Sequence, residues 1–362
     1  MIIGMASLAV TLAERGKSGR MAEGLGIELE NARVKLLAVG SSGMRSLVHP
    51  LPFRPVGDRQ MDVAEGFAAA LAEFTSLTGI LPRQVPVVVA ASHHFAYPAF
   101  RIAHEHLLTL LAEHLPNAFL AASDGLWSLA QAKTGAGYLP FVLARTLGIE
   151  LATVLHGALT LALDVGSTST EIVPLLRGQL AYAKTEPESS DLSERNSRAR
   201  LQDGRLLWIG SLETPLEYLA PVAAGYRMVP RKGRMAAVTG LLADDPWLAA
   251  LLPDREHLRL EVAQAVGLDT ELLGDAVYDI AHALREKAIE TIAIAIRQVM
   301  ARELPAGCQR AAIMGLGKNE LAAPALARCG IRQLVDIEAA AGVPLNLGAT
   351  YGLALAAACL NS

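Results

Sequence analysis

Apolar residues recur along the chain with two different periods. Short continuous runs bounded by turn residues predict buried strands at 1–13 (MIIGMASLAVTLA), 34–42 (VKLLAVGSS) and 84–94 (QVPVVVAASHH). Helical spacing appears between them: Val63, Phe67, Ala70, Leu71 and Phe74 mark a helix that closes at Gly79. RIAHEHLLTLLAEHL at 101–115 predicts a second amphipathic helix. NAFLAASDGLWSLAQAKTG at 117–135 predicts a strand and then a helix capped by Asp124.

The same grammar returns in the second half. LTLALDVGSTSTEIVPL at 159–175 predicts a buried hairpin, and the polar stretch between Lys184 and Arg205 a solvated loop. Ala281, Leu284, Ala288, Ile292 and Ile296 share one face of a long helix within 273–304. A strand (RAAIMG), a glycine turn and a helix (NELAAPALARCG) come next, and LNLGATYGLALAAA at 345–358 predicts a small-residue helix able to pack closely. Alternating strands and helices predict an α/β protein of two lobes, 1–157 and 158–362.

Composition narrows the class. The 362 residues are 52% hydrophobic and 19% charged, as in a well-packed soluble protein. A net charge of -4 gives no basic surface for nucleic acid. Cys308, Cys329 and Cys359 are too far apart for a metal motif and predict free thiols. The amino terminus lacks a basic n-region, and no run reaches the roughly 18 apolar residues of a membrane span. The expected location is cytoplasmic, without nucleic acid or membrane as partner.

Two turns carry candidate chemistry. In the first, Asp164 ends a strand, Gly166 allows a tight turn, and Ser167, Thr168, Ser169 and Thr170 follow. Successive N–H groups in such a turn form a nest for an anion, and the hydroxyls add donors. Asp164 would repel phosphate directly, yet is well placed to hold a divalent cation that bridges to it. An ordinary polar hairpin is the competing reading. In the second turn, Gly315 and Gly317 stand between strand and helix, where free N–H groups favour anions, with Lys318 as an added point charge. His93 and His94 at a strand end, and Asp124, are further candidate cleft contacts.

A DxGSTST hairpin succeeded by a strand, G-x-G and a helix resembles the actin-like ATPase superfamily. That resemblance implies two ribonuclease-H-like lobes around a central cleft. Within it, HPLPF (49–53), LAASDGLWSLA (120–130), LALDVGSTSTEIVPL, ARLQDGRLLWIGSLETPLEYLAPV and AAIMGLGKNEL are similar, in this order, to the hydantoinase/oxoprolinase-related proteins of the tetrahydromethanopterin-linked one-carbon pathway. One branch of that family makes the furan-tyramine part of methanofuran.

The resemblance implies a metal-dependent transferase that condenses a furan diphosphate with an amine- or phenol-bearing acceptor and releases pyrophosphate. Asp164 would hold Mg²⁺ or another divalent cation, and the hydroxyl turn and the two glycines would cradle the diphosphate. Two alternatives stand beside it. One is a catalytically degenerate paralogue acting as a binding or assembly subunit, in a homo-oligomer or with a homologous chain. The other is an ATP-dependent hydantoinase/oxoprolinase-like or kinase-like enzyme. The family opens with an Asp-Ile-Gly-Gly-type turn; MIIGMASLAV offers Gly4 and Ser7 but no carboxylate, so the first lobe is expected to lack its metal-sharing acid. Glu213 also stands where the family has arginine before Thr214 and Pro215.

Overall fold

A computed structural model describes residues 3–4, 23–30, 33–51, 59–91, 100–122, 125–134, 144–154, 156, 159–176, 179–180, 205–219, 234–242, 252–268, 270–304 and 306–360. They divide into two compact units: Met1–Thr160 with Leu175–Ala199 and Ile337–Ser362, and Leu161–Pro174 with Arg200–Asp336.

The sheet of the first unit has three antiparallel strands in sequence, β2 (Gly24–Leu29), β3 (Arg33–Gly40) and β4 (Gly43–Pro50). Helix α1 (Arg59–Thr78) crosses to β5 (Val87–Ala91), parallel to β2, and α2 (Phe100–His114) to β6 (Phe119–Ala122), parallel to β5. An antiparallel β7 (Gly125–Ser128) and a short β1 (Ile3–Gly4) complete that edge. The predicted strand at 1–13 is therefore met in the described residues only by Ile3–Gly4. The first central strand is Gly24–Leu29, whose two glycines and Glu28 had hidden its apolar pattern.

Alternation along β2 sets its two faces. Leu25, Ile27 and Leu29 pack with Phe67 and Phe74 of α1 and with Leu107 and Leu111 of α2. Gly24, Gly26 and Glu28 face the other way. There a Cβ on Gly24 would overlap the backbone nitrogen of Ala358, and one on Gly26 the carbonyl of Thr350. Both partners belong to the small-residue helix Gly348–Cys359, whose Leu353 and Leu355 share a core with Val88, Ala90, Leu147 and Leu151. This close packing places 337–362 in the first unit, which differs from the predicted boundary at 157/158.

The helix expected to start at Asp124 begins instead at Leu129 (α3, Leu129–Thr134). Ser128 Oγ accepts from the Gln131 amide while the Gln131 side chain accepts from the Ser128 amide, a reciprocal cap. Asp124 itself lies outside the described residues, as do His93, His94 and the predicted loop through residue 204. Helix α4 (Ala144–Val154) closes this stretch.

The second sheet repeats the first. β8 (Leu161–Val165), β9 (Thr170–Leu176) and β10 (Gln179–Leu180) run antiparallel, and β12 (Arg310–Met314) and β13 (Gln333–Asp336) lie parallel on the far side of β8. A short β11 (Leu206–Leu207) pairs with β9. The order third-second-first-fourth-fifth thus occurs in both sheets, which makes each ribonuclease-H-like. The long helix Ala276–Glu303 buries Ala281, Leu284, Ala288, Ile292 and Ile296, the predicted face, in a core with Leu161, Leu163 and Val165. Among the described residues no helix is long and apolar enough to cross a membrane.

The first unit buries an ionic cluster at the end of β2. Lys35, fully buried, places Nζ 2.6 Å from Glu30 and 3.5 Å from Glu28, and donates to Asn346 at 3.2 Å. Arg145 approaches Glu28 at 3.1 Å and Arg33 approaches Glu30 at 3.0 Å. Burial alone would push the Glu30 carboxyl up; Lys35, then Arg33 and Arg145, outweigh it and hold it down at about 2.

Because that value is depressed in the folded chain, its stabilisation is present above about 4.5 and is lost as pH falls through about 2. Acid unfolding of Glu30→Gln should therefore be flatter across this window than that of wild type, by on the order of 2 kcal/mol. Urea melts at stepped pH would show it, and parallel curves would contradict it. Gly26→Val should cost about 3 kcal/mol by driving the helix off β2, read as a lowered melting temperature.

Candidate functional site

The strand β8 carries apolar Leu161, Leu163 and Val165 on its core face, so the intervening Asp164 is delivered to the other. Asp164 is buried, pairs with Glu171 across β9 and stands beside Met314 on β12. The chain then turns, with the Gly166 amide donating to the carbonyl of Ser169 at 2.9 Å. Ser167, Thr168 and Ser169 are half-buried at the tip, and Thr170 is buried.

The carbonyl side of this turn is held by the segment Ile209–Thr214. The amide and hydroxyl of Ser211 both donate to the carbonyl of Gly166, at 2.9 and 3.1 Å. The amides of Leu212 and Glu213 donate to the carbonyl of Ser167, at 3.0 and 2.8 Å. Thr170 Oγ1 donates to the carbonyl of Ile209 at 2.6 Å. The strap is itself braced: Thr214 Oγ1 accepts from the Gly210 amide at 2.7 Å, and Thr239 donates to the carbonyl of Ser211 at 2.6 Å. The two peptide planes that carry the amides of Ser167 and Thr168 are thereby fixed from one side. Among the described residues no hydrogen-bond partner takes the amides of Ser167, Thr168 and Ser169. Fixed amides of this kind in a tight turn suit an anion.

The second turn lies against the first. Gly315 comes directly after β12 with φ +88°, and a Cβ there would overlap Oδ1 of Asp164 and the carbonyl of Val165. The amide of Gly317 donates to that same carbonyl at 2.9 Å. The two predicted glycine turns are therefore neighbours, but the Gly317 amide binds one turn to the other, not a ligand. Lys318 is also spent: its ammonium reaches Asp336 at the end of β13, 2.9 Å from Oδ1 and 2.8 Å from Oδ2. Beyond Gly317 the chain forms a π-helical turn (Lys318–Ala322) that continues into the helix Ala323–Arg328.

Glu213, which stands where the resemblance implies arginine, is exposed and pairs with Arg234 at 2.7 Å. Sequence reasoning passed over Ser211, Thr214 and Thr239, which hold the turn. The signal was present in the small and hydroxyl residues of GSLET. Without a partner segment in view, though, nothing indicated that they faced the hairpin. No group of three or more His, Cys, Asp or Glu that could hold a metal occurs among the described residues. A divalent ion at Asp164 would thus take most of its ligands from water and from phosphate oxygens, which is how Mg²⁺ is commonly held.

No known protein-family profile matches the chain. A segment of 57 residues is 40% identical to the (4-{4-[2-(gamma-L-glutamylamino)ethyl]phenoxymethyl}furan-2-yl)methanamine synthase of Methanococcus vannielii, covering 16% of this chain and 21% of that protein. The chain thus matches about a fifth of its curated relative. Acetone carboxylase in its nucleotide-free form is 11% identical over 92% of this chain and 70% of its own, with a TM-score of 0.51. The ethanolamine utilization protein EutJ of Carboxydothermus hydrogenoformans is 12% identical over 96% and 99%, at 0.48. A ROK family glucokinase of Streptomyces griseus, solved with glucose and AMPPNP, is 11% identical over 93% and 98%, at 0.44. The fold class is that of the actin-like ATPases and sugar kinases.

Gly315→Ala and Gly330→Ala test how closely the turns approach. Both glycines have a positive φ, +88° and +81°, but only at Gly315 would a Cβ meet other atoms. Gly315→Ala should cost about 1–3 kcal/mol more than Gly330→Ala. Equal losses in chemical denaturation would contradict the close contact with Asp164.

Proposed function

We propose that the hairpin Asp164–Thr170 grips the phosphate of a small molecule, and that the protein is a transferase of one-carbon cofactor biosynthesis of the methanofuran kind. The carrying observation is the pair of fixed amides at Ser167 and Thr168, which with that of Ser169 have no hydrogen-bond partner among the described residues, beside a buried carboxylate. The local identity to a synthase whose product joins a furan to a phenoxymethyl group supports the choice of chemistry.

In this reading the substrate is a furan-methyl diphosphate and the acceptor bears a phenol or amine. The acceptor heteroatom forms a bond to the furan methylene carbon. The carbon–oxygen bond to diphosphate breaks, its electron pair leaves on pyrophosphate, and the acceptor proton is released. The amides and hydroxyls of the turn stabilise the charge that gathers on the leaving oxygens. A divalent cation at Asp164 would supply further positive charge between carboxylate and diphosphate. Ser211 and the Gly317 amide act at one remove, keeping the turn in the shape that the anion needs.

Calorimetry with Mg²⁺ and inorganic pyrophosphate tests the assignment. Asp164→Asn should weaken binding at least tenfold, about 1.4 kcal/mol, with a melting temperature close to that of wild type. Equal affinity in the two proteins would refute it. Preference for ATP over pyrophosphate would favour a kinase-like enzyme. No response to either, with co-purification of a homologous chain, would favour a binding or assembly subunit.

A further inference from the structure

The repeated sheet order allows the two units to be compared position by position. β2 and β8 are each the central strand, succeeded by a hairpin partner and flanked by a parallel neighbour. Asp164 is the penultimate residue of β8, opposite Glu171 and beside Met314; the next residue, Val165, pairs with Thr170. Glu28 is the penultimate residue of β2, opposite Lys35 and beside Ala90; the next residue, Leu29, pairs with Val34. The first unit therefore has a carboxylate at the place of Asp164. The expectation that it lacks one came from reading 1–13 as its opening strand.

The surroundings of the two acids differ. Asp164 lies against Gly315. Glu28 is enclosed: Oε1 is 3.1 Å from Arg145, while Oε2 accepts from Thr350 Oγ1 and lies 3.5 Å from the ammonium of Lys35. That ammonium has oxygen from Glu30 at 2.6 Å and from Asn346 at 3.2 Å as well. Asn346 is buried and holds a φ of +66°, a backbone state that asparagine tolerates better than most residues. Oxygens of two carboxylates and an amide around one buried cation resemble the ligand set of a metal ion, with nitrogen at its centre. Lys35, Arg33 and Arg145 outnumber Glu28 and Glu30, so the cluster has no electrostatic demand for another cation.

We propose that Lys35 is a built-in cation of the first unit. Its ammonium fills the place beside Glu28 that a divalent ion fills beside Asp164, and that place is closed to metal. Of the two equivalent positions, only that of the second unit then binds a divalent ion; this half rests on the function proposed above. Duplicated folds can in this way keep one exchangeable charge and make the other covalent, removing one metal from the requirements of the protein.

Titration with Mn²⁺ of the protein saturated with inorganic pyrophosphate, read by calorimetry against the same titration without protein, separates the possibilities. Wild type should bind one equivalent, Asp164→Asn none, and Glu28→Gln one equivalent with affinity within twofold of wild type. Lys35→Met should gain an equivalent and a melting temperature that rises with Mn²⁺. Two equivalents in wild type, one of them lost in Glu28→Gln, would overturn the proposal, as would a folded Lys35→Met that gains no ion. If Lys35→Met does not fold, the Glu28→Gln comparison still decides. No binding by wild type would refute the metal role of Asp164 and leave the closed position at Glu28 standing.

Discussion

The hydrogen bond from the Gly317 amide to the carbonyl of Val165 is the contact on which the candidate site turns. It joins the loop after β12 to the end of β8, two strands already in parallel register. The approach is so close that only glycine fits at 315, because a methyl there would occupy the space of the Asp164 carboxylate. With the strap at Ile209–Thr214 pinning the carbonyls of Gly166 and Ser167, the hairpin is braced from two directions. Its amides are oriented before any ligand arrives. Such preorganisation is the physical basis for binding an anion without a reorganisation cost.

The same strand-and-turn element is used differently in the first unit. There the carboxylate is surrounded by side-chain cations, and the helix Gly348–Cys359 packs on Gly24 and Gly26 so tightly that Thr350 reaches Glu28. Burying charges is costly unless each is paired and hydrogen-bonded, and each carboxylate here contacts more than one partner. The result is a buried, paired ionic cluster, where the second unit has a turn whose tip is half-buried.

Long periodic elements were legible without coordinates. The buried stripe of Ala276–Glu303, the apolar β5 and β8 and the helix ending at Thr78 result from side-chain spacing alone. So does the Asp164–Thr170 turn, since glycine and hydroxyl residues between apolar runs admit few other structures. The strand Gly24–Leu29 was missed because its glycines serve helix packing and its Glu28 serves ion pairs, neither of which is an alternation signal. The helix expected from Asp124 starts at Leu129, where Ser128 and Gln131 cap each other.

The class of the fold and the location of the glycine and hydroxyl turn could be read from the order of residues, because periodicity and turn chemistry are local properties. The fate of each charge was settled only by folding. Lys318, a candidate point charge for phosphate, has Asp336 of β13 beside it, and Glu213 pairs with Arg234. Glu28 became a counterpart of Asp164 only when register and sheet order were known. The electrostatic role of a side chain is set by what lies within a few ångströms of it, and those neighbours came from distant parts of the chain.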